Sequence, residues 1–272
     1  MLFTALVLST GTLIAAVDYA NARRMVLDVI SALFESSARE TLAELRSSHE
    51  PIRTLVVQLA QRPNASSGGP HGQLDSLPVI RRALDLTPML SAIYVGFADG
   101  GMFYIRRLDF KAAQRNENAP AQAAYMVHLS EPGPRGNTVR FYDEEMELLL
   151  TRTAEFQRPH DMTWFHAARE RSGLIRTPAF MLPSRDIGFA IAQATADGKA
   201  VIGADLALKD LSASLSRQRA SPSAQLALTD LSGQVLAASH GAWGLSEGAR
   251  VELPTLTSLG MPILAKAFSG AP

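Results

Sequence analysis

An aromatic pair and a strand-end carboxylate are the residues of this chain with the clearest chemical capacity. Trp164 and Phe165 are adjacent in sequence, and Asp205 closes an apolar run just before a helical pattern. Aromatic rings supply flat apolar walls, and a carboxylate can fix the orientation of a ligand. The pattern is typical of a small-molecule pocket. A plain structural alternative stays open, in which the rings belong to the core and Asp205 caps the following helix.

Catalytic and metal chemistry have weaker support. His160 and His166 lie near Asp161, which supplies the residue types of a site with two histidines and one carboxylate. Their spacing is not the i, i+4 spacing of a helical metal motif. The carboxylates of Asp143–Glu145 fall in a predicted turn, where solvent surrounds them. The nucleophile elbow, the phosphate-binding loop, the zinc-protease motif and the dinucleotide fingerprint do not occur in the sequence. We therefore predict no catalytic residue, no metal and no cofactor.

The composition limits the function classes. The 272 residues suffice for one large domain or two modest ones. Lys and Arg together number 26, as do Asp and Glu, so the net charge of zero gives no reason to expect nucleic acid as a partner. The chain has no cysteine, which excludes a thiol nucleophile, a disulfide framework and a thiolate metal site.

Apolar runs separated by turns predict an antiparallel sheet around these residues. The runs Ile187–Ala194 and Ala200–Asp205 flank Asp197-Gly198, a strong hairpin signal because Gly accepts a positive φ. A second hairpin joins Leu90–Ala98 to Met102–Leu108. Further strands are predicted at 138–142, 146–153, 225–229 and 234–238, and helices at 77–86, 206–219 and 254–267. The polar stretch 109–135 is expected to be a loop, with a strand at 121–129 as the alternative.

The chain begins with an apolar segment that leads into a long helical pattern. Leu2–Val17 carries no charge, and a full membrane span needs about 20 residues. We predict a transmembrane helix whose start is missing, or else an atypical signal or anchor helix complete as given. Apolar residues recur at helical spacing over Asp18–Arg62, with a kink or restart predicted at Ser47–Pro51.

Four segments carry a family resemblance. They are Phe-Tyr-Asp at 141–143, Arg-Pro-His-Asp-Met-Thr-Trp-Phe-His-Ala-Ala at 158–168, Val-Ile-Gly-Ala-Asp-Leu at 201–206, and the Leu-rich helix at 208–215. Their order and spacing resemble the ligand-sensing core of double Cache domains. These are the extracytoplasmic sensor modules of bacterial chemoreceptors, sensor kinases and nucleotide cyclases. The resemblance covers most of the chain after about Asp18.

The resemblance implies an α+β fold in which a long membrane and stalk helix precedes PAS-like antiparallel-sheet lobes. We predict a transmembrane segment at 1–17, a stalk helix at 18–62, a membrane-distal Cache lobe at 63–219 and an incomplete membrane-proximal lobe at 220–272. A PAS-like lobe needs about five strands to cover its core, and too few residues follow 220. We therefore expect the sequence to be a fragment without its second span and output domain.

The resemblance also implies a ligand pocket in the distal lobe. Its predicted lining residues are Tyr142, His160, Asp161, Trp164, Phe165, Phe180 and Asp205. In family members that bind amino acids, an Arg two residues before the Trp holds the ligand carboxylate, and the strand-end Asp holds the ammonium. Here Met162 stands at the Arg position, whereas Asp205 is kept. An amine-bearing, cationic or largely apolar ligand is therefore expected, rather than a plain α-amino acid.

The function implied is that of an extracytoplasmic small-molecule sensor, the input region of a bacterial transmembrane signalling protein. We expect a parallel homodimer anchored in the inner membrane, with the residues after about 18 facing the periplasm. This segment is not expected to be an enzyme. A cytoplasmic nucleotide cyclase is the favoured output, and a histidine kinase or a chemoreceptor is the alternative. A rival of another class is a membrane-anchored periplasmic hydrolase that uses His160, Asp161 or Asp143–Glu145. In a further alternative the lobe is structural only.

Overall fold

The computed structural model describes residues 2–62, 65–108, 118–132, 136–155, 158–182, 186–218, 223–230, 232–239 and 253–270. The helices are α1 Leu2–Ala60, α2 Gly69–Gly72, α3 Leu77–Leu86, α4 Thr163–Glu170, α5 Lys209–Arg217 and α6 Pro262–Ser269. The strands are β1 Leu90–Phe97, β2 Met102–Arg107, β3 Tyr125–Ser130, β4 Asn137–Tyr142, β5 Leu148–Thr153, β6 Ile175–Arg176, β7 Phe180–Met181, β8 Ile187–Ala194, β9 Ala200–Ala207, β10 Ala227–Thr229 and β11 Val235–Ala238.

The centre of the molecule is a nine-stranded sheet. Its order is β5-β4-β3-β2-β1-β9-β8-β6, with β7 also paired to β8, and each pairing is antiparallel. The two predicted hairpins, β1–β2 and β8–β9, are confirmed and lie next to each other at the middle of the sheet. The predicted α+β class, a long N-terminal helix followed by an antiparallel sheet, is confirmed.

Helix α1 runs without interruption through the predicted kink. Pro51 lies inside it on an exposed side, where water can satisfy the carbonyl that loses its donor. Just after Pro51, the side chains of Ile52, Val56 and Ala60 are buried at the i, i+4 spacing that places them on one helix face. The last turns of α1 therefore dock on the sheet. Most of the helix before them is exposed where its burial is described.

No helix in the described part of the chain is both long and apolar enough to cross a membrane, and this includes α1. The transmembrane segment at 1–17 stays a prediction.

Strand alternation divides the core into two layers. The stalk face of the sheet packs against α1, α3 and α5. It carries large apolar side chains, among them Ile93, Val95, Phe103, Ile105 and Ile202. The site face is the opposite surface, and α4 covers part of it. Its side chains include Ala92, Tyr94, Tyr104, Phe141, Ala190 and Ala192.

Three predicted boundaries differ from the structure for local reasons. Strand β3 begins at Tyr125, because a turn closed by the hydrogen bond from Ala123 N to Pro120 O precedes it. Helix α5 begins at Lys209, because β9 continues to Ala207. Helix α6 begins only at Pro262, after a turn that ends at Gly260 with a φ of 70°.

A small two-stranded sheet, β10 paired with β11, follows the large one. It has its own apolar cluster with Val235, Leu256 and Met261. The two strands predicted at 225–229 and 234–238 are confirmed, and they pair antiparallel. The division into domains at residue 220 stays a prediction, since residues 219–222 and 240–252 lie outside the described residues.

Candidate ligand-binding site

Asp205 lies at the centre of the site face. Strand β9 pairs with β1 and β8, and Asp205 is opposite Ala92 on one side and Ala190 on the other. Ala92 is in turn opposite Arg106 on β2. Residues that pair across neighbouring strands point to the same face of a sheet. Asp205 and Arg106 therefore share a row on this face, and the residues directly beside Asp205 on both neighbouring strands are fully buried alanines.

The carboxyl group of Asp205 is buried, at 4% exposure, and accepts a 2.8 Å hydrogen bond from the Tyr94 hydroxyl. Within the described residues, Tyr94 is the one side chain that donates to it. Burial raises the pKa of Asp205 to about 7, while the Tyr94 hydrogen bond acts in the opposite direction. A buried acid with one neutral donor has the capacity to hold a cation, because each additional positive partner would offset its desolvation.

Glycine on β9 allows Tyr94 to reach this carboxylate. The Tyr94 ring lies directly on Gly203, where a Cβ would be only 2.1 Å from its Cε2 atom. The ring of Trp164 packs against Tyr94 with centroids 4.6 Å apart. Trp164, Tyr94 and Asp205 thus form a continuous chain of contacts from α4 down to the sheet.

Helix α4 is fixed on the site face by its first turn. Trp164 and Phe165 are buried and meet edge to face with centroids 5.7 Å apart. Both lie over Gly96 of β1, whose missing side chain makes room for them. The indole Nε1 of Trp164 donates to the Sδ atom of Met162 at 3.1 Å. Met162 therefore serves here as a partner for the indole.

Two basic residues of β2 and β3 extend the site face beyond Tyr94. Arg106 is buried, at 6% exposure, and His128 lies edge-on to Tyr104 with centroids 6.2 Å apart. Burial, and next the positive charge of Arg106, lower the pKa of His128 to about 4. His128 is therefore neutral near pH 7, and Arg106 carries its charge in a buried environment.

The structure brings four of the seven predicted residues to the site face: Trp164, Phe165, Phe180 and Asp205. Phe180 reaches it from β7, where it pairs with Gly188 of β8. Whether these residues bind a ligand stays a prediction.

The other three predicted residues lie elsewhere. Tyr142 packs in the stalk-face core, because its neighbour Phe141 takes the site face and successive strand residues alternate. His160 and Asp161 are exposed in a single turn before α4. The ring of His160 lies beside Phe165 and close to Gly100, at the far end of the β1–β2 hairpin from the Asp205 row. The structure therefore does not bring these three residues together with Asp205.

Tyr94 and Arg106 are site-face residues that the sequence analysis missed. Both belong to the correctly predicted β1–β2 hairpin. The alternation of the hairpin would assign Tyr94, Tyr104 and Arg106 to one face, but not show that this face is the one beside Asp205. The Tyr94–Asp205 contact joins residues 111 positions apart.

The carboxylate cluster and the histidines are accounted for by local contacts. Asp143 accepts backbone hydrogen bonds from Glu145 and Glu147 and so closes its own turn. A ring nitrogen of His166 is 2.6 Å from the carbonyl oxygen of His160. Across the described residues, no group of three or more His, Cys, Asp or Glu side chains is arranged to hold a metal ion.

Comparison with known proteins gives one similar curated protein and several solved structures, and no protein-family model matches the chain. The chain is 24% identical over 227 residues to Adenylate cyclase 1 of Rhizobium meliloti (strain 1021). The match covers 80% of this chain and 34% of that protein, so the chain spans about a third of the length of this relative.

The chain is also similar to two solved chemotaxis proteins. One is Methyl-accepting Chemotaxis protein X, with 13% identity, a TM-score of 0.47, and coverage of 86% of this chain and 80% of that one. The other is the ligand-binding domain of the Campylobacter jejuni chemoreceptor Tlp3 in complex with L-norvaline, with 17% identity, a TM-score of 0.46, and coverage of 76% and 66%. With TM-scores below 0.5, these two proteins are similar to the chain in fold only.

Proposed function

We propose that this chain is the extracytoplasmic small-molecule-sensing region of a bacterial transmembrane signalling protein, of the double Cache type. Three features support the proposal: the ordered motifs between 141 and 215, the antiparallel sheet that follows a long helix, and the similarity to an adenylate cyclase. In this proposal the segment itself is not catalytic, and the apolar start of α1 anchors it in the inner membrane.

The observation that carries the proposal is the buried Asp205 carboxyl, which accepts the hydrogen bond of the Tyr94 hydroxyl, with the Tyr94 ring packed against Trp164 of α4. A carboxylate in such a place destabilises the folded protein unless a cation joins it. The aromatic rings of Tyr94 and Trp164 can also attract a cation through their faces. We therefore assign an amine-bearing ligand to this site, with its ammonium group on Asp205.

Strand β8 connects this site to helix α1, the predicted stalk. Ala190 lies beside Asp205 on the site face, and the preceding residue, Phe189, points to the stalk face. There the Phe189 ring lies 5.8 Å from the ring of His49 on α1. A ligand that binds one position of β8 better than another would shift the balance of α1 positions. Two parallel copies of α1 in a homodimer would pass this shift to the membrane.

We propose a cytoplasmic nucleotide cyclase as the output, because the relative that matches 80% of this chain is an adenylate cyclase. A histidine kinase or a chemoreceptor output is the alternative. Cyclase assays on the longer protein, with and without the ligand found below, would separate these outputs.

The rival hydrolase has little geometric support. His160 and Asp161 are exposed, and Asp143 is engaged by its own turn. General acid–base catalysis requires groups positioned together around a substrate. The hydrolase function would be supported if the wild type hydrolyses esters or amides from a test panel and the His160→Ala and Asp161→Ala variants do not.

A thermal-shift screen of the 272-residue chain against primary amines, organic acids and purines tests the sensor function. A ligand at a hundred times its Kd should stabilise the protein by about 2.7 kcal/mol. We expect a primary amine to stabilise the wild type and the surface control Asp161→Asn, and Asp205→Asn to lose the effect. Equal stabilisation of Asp205→Asn would contradict the amine assignment. If no compound of the panel stabilises the protein, the result would favour the alternative in which the lobe is structural only.

A further inference from the structure

We propose that His49 makes the docking of helix α1 on the sheet depend on pH. While its imidazole is neutral, α1 stays packed against Phe189 of β8, and the imidazolium that forms in acid releases the helix at this point. The chain would then respond to the acidity of its surroundings as well as to a ligand. The inference uses only the contact between α1 and β8, so it can fail while the ligand assigned to Asp205 stands.

His49 lies where α1 leaves the sheet. It is on the same helix face as Ile52, with which the docked part of α1 begins. Ile52 is 1% exposed, whereas Leu42, about two turns before His49, is 48% exposed. His49 itself is half-buried, and its ring lies 5.8 Å from the ring of Phe189. A change at His49 therefore acts at the boundary between the docked and the exposed parts of the helix.

A positive group is already present at this junction. The guanidinium carbon of Arg176 lies 4.4 Å from the centre of the Phe189 ring. Arg176 belongs to β6, which pairs with β8 and so keeps the guanidinium near the helix. Because Phe189 contacts both residues, an imidazolium at His49 would bring a second cation to a ring that already binds one. Two like charges this close destabilise the docked state.

Three charged side chains of the described residues act on His49. Arg176 repels an imidazolium from the sheet, while on α1 Glu50 attracts it and Arg53 repels it. Glu50 and Arg53 are exposed and 3.8 Å apart, so water and the other charge weaken the effect of each. Burial, and next the charge of Arg176, lower the pKa of His49 from its usual 6.5. Docking is therefore fully favoured above pH 6.5 and weakens as the pH falls below it.

The rest of the docked face does not titrate. Ile52, Val56 and Ala60 are apolar and buried, so they hold the last turns of α1 on the sheet at any pH. Loss of the His49 contact alone would tilt the exposed part of the helix without detaching its end. The angle at which α1 leaves the sheet is thus the quantity that acid changes.

A proton NMR titration of the 272-residue chain tests the charge state of His49. The chain has six histidines, and the His49 Cε1 signal is the one that is absent in His49→Gln. We expect its midpoint to lie below pH 6.5 in the wild type and to rise towards 6.5 in Arg176→Gln. A midpoint at or above 6.5 in the wild type would overturn the inference, because docking would then not oppose protonation.

Double electron–electron resonance measures the position of the helix. The chain has no cysteine, so spin labels at Ala38→Cys on α1 and Ser172→Cys after α4, both exposed positions, report a single distance. About 16 Å of helix separates residue 38 from His49, so a tilt of about 10° moves the first label by about 3 Å. We expect a shift of this size between pH 7.5 and pH 5, with the midpoint found by NMR.

Matched variants assign the shift to His49. In the labelled His49→Gln chain, whose side chain stays neutral, the distance should keep its pH 7.5 value throughout. His166→Gln, which removes an exposed histidine of α4, should keep the wild-type shift. No shift in the wild type, or a shift that persists in His49→Gln, would overturn the inference. If His49→Gln does not fold, labelled Arg176→Gln replaces it: the shift should then occur at a higher pH, and an unchanged midpoint would contradict the inference.

Discussion

The two faces of the large sheet are built from the same strands but from different kinds of residue. The stalk face is a continuous layer of large apolar side chains, with Ile93, Phe103 and Ile105 fully buried. The site face combines alanines and aromatic rings with the buried charged or polar groups of Arg106 and Asp205. The comparison teaches that one face is built for stability, whereas the other includes the buried carboxyl of Asp205, which costs stability and which we propose binds a ligand.

A cavity substitution on the stalk face should have the largest effect on stability. Phe103→Ala removes a fully buried ring and should lower the free energy of unfolding by about 3–5 kcal/mol. Urea unfolding at pH 7.5 measures this loss. The nearly isosteric Asp205→Asn on the site face should keep or raise stability, because it removes a buried charge. A loss in Asp205→Asn as large as in Phe103→Ala would erase the contrast between the faces.

The pH dependence of stability should reveal Asp205. The folded protein holds the Asp205 proton up to pH about 7, whereas the unfolded chain loses it near its usual 3.8. The folded state binds more protons in this window, so its stability is fully present below 3.8 and falls as the pH rises towards 7. Relative to Asp205→Asn, the wild type should lose about 3 kcal/mol between pH 4.5 and pH 8.

The titration of His128 also makes stability depend on pH, so the profile of the wild type must be compared with that of Asp205→Asn. The pKa of His128 is lowered to about 4, so this histidine contributes stability that is present above its usual 6.5 and lost as the pH falls towards 4. The two groups act in opposite directions over the same window and flatten the wild-type profile. The difference between wild type and Asp205→Asn cancels the His128 contribution. A difference that does not change with pH would show that Asp205 titrates normally.

Gly203→Ala should have an intermediate effect. Its new Cβ would meet the Tyr94 ring and displace the hydroxyl from Asp205, at a cost of about 1–3 kcal/mol. We expect the affinity for 1-aminopentane, measured by calorimetry, to change as well. In a Tyr94→Ala background the same substitution should be tolerated, because the atoms it meets are absent. A Gly203→Ala variant as stable as the wild type would contradict the close packing of this ring.

The smallest effect is expected at the exposed turn before α4. His160→Gln and Asp161→Asn should change the free energy of unfolding by less than about 0.5 kcal/mol, because both side chains are exposed. Neither should alter the binding of 1-aminopentane in the same calorimetric assay. A tenfold loss of affinity in either variant would return these residues to the site.

The hairpins could be predicted from the sequence because their signals are local. An Asp-Gly turn between two apolar runs locates β1–β2 and β8–β9 to within two residues. The two-residue strands β6 and β7 have no such signal, since they form only by pairing with β8. The long helix followed from the spacing of its apolar residues, and the docking of its last turns on the sheet required the structure.

The candidate site was predictable only in part. Trp164 and Asp205 were found because they stand in an ordered family pattern, and the structure connects them through Tyr94. Tyr94 and Arg106 were missed because strand register, which is set by long-range pairing, places them on the same face as Asp205. Tyr142 was misplaced for a related reason, since a shift of one residue along a strand moves a side chain to the other face.

Proton release on binding tests the central claim most directly. Calorimetry of 1-aminopentane at pH 6, in two buffers with different ionisation enthalpies, counts the protons released. Asp205 is mostly protonated at this pH, so a cation that binds it should expel nearly one proton from the wild type and none from Asp205→Asn. Binding of equal affinity to both proteins, with no proton released from either, would contradict the account.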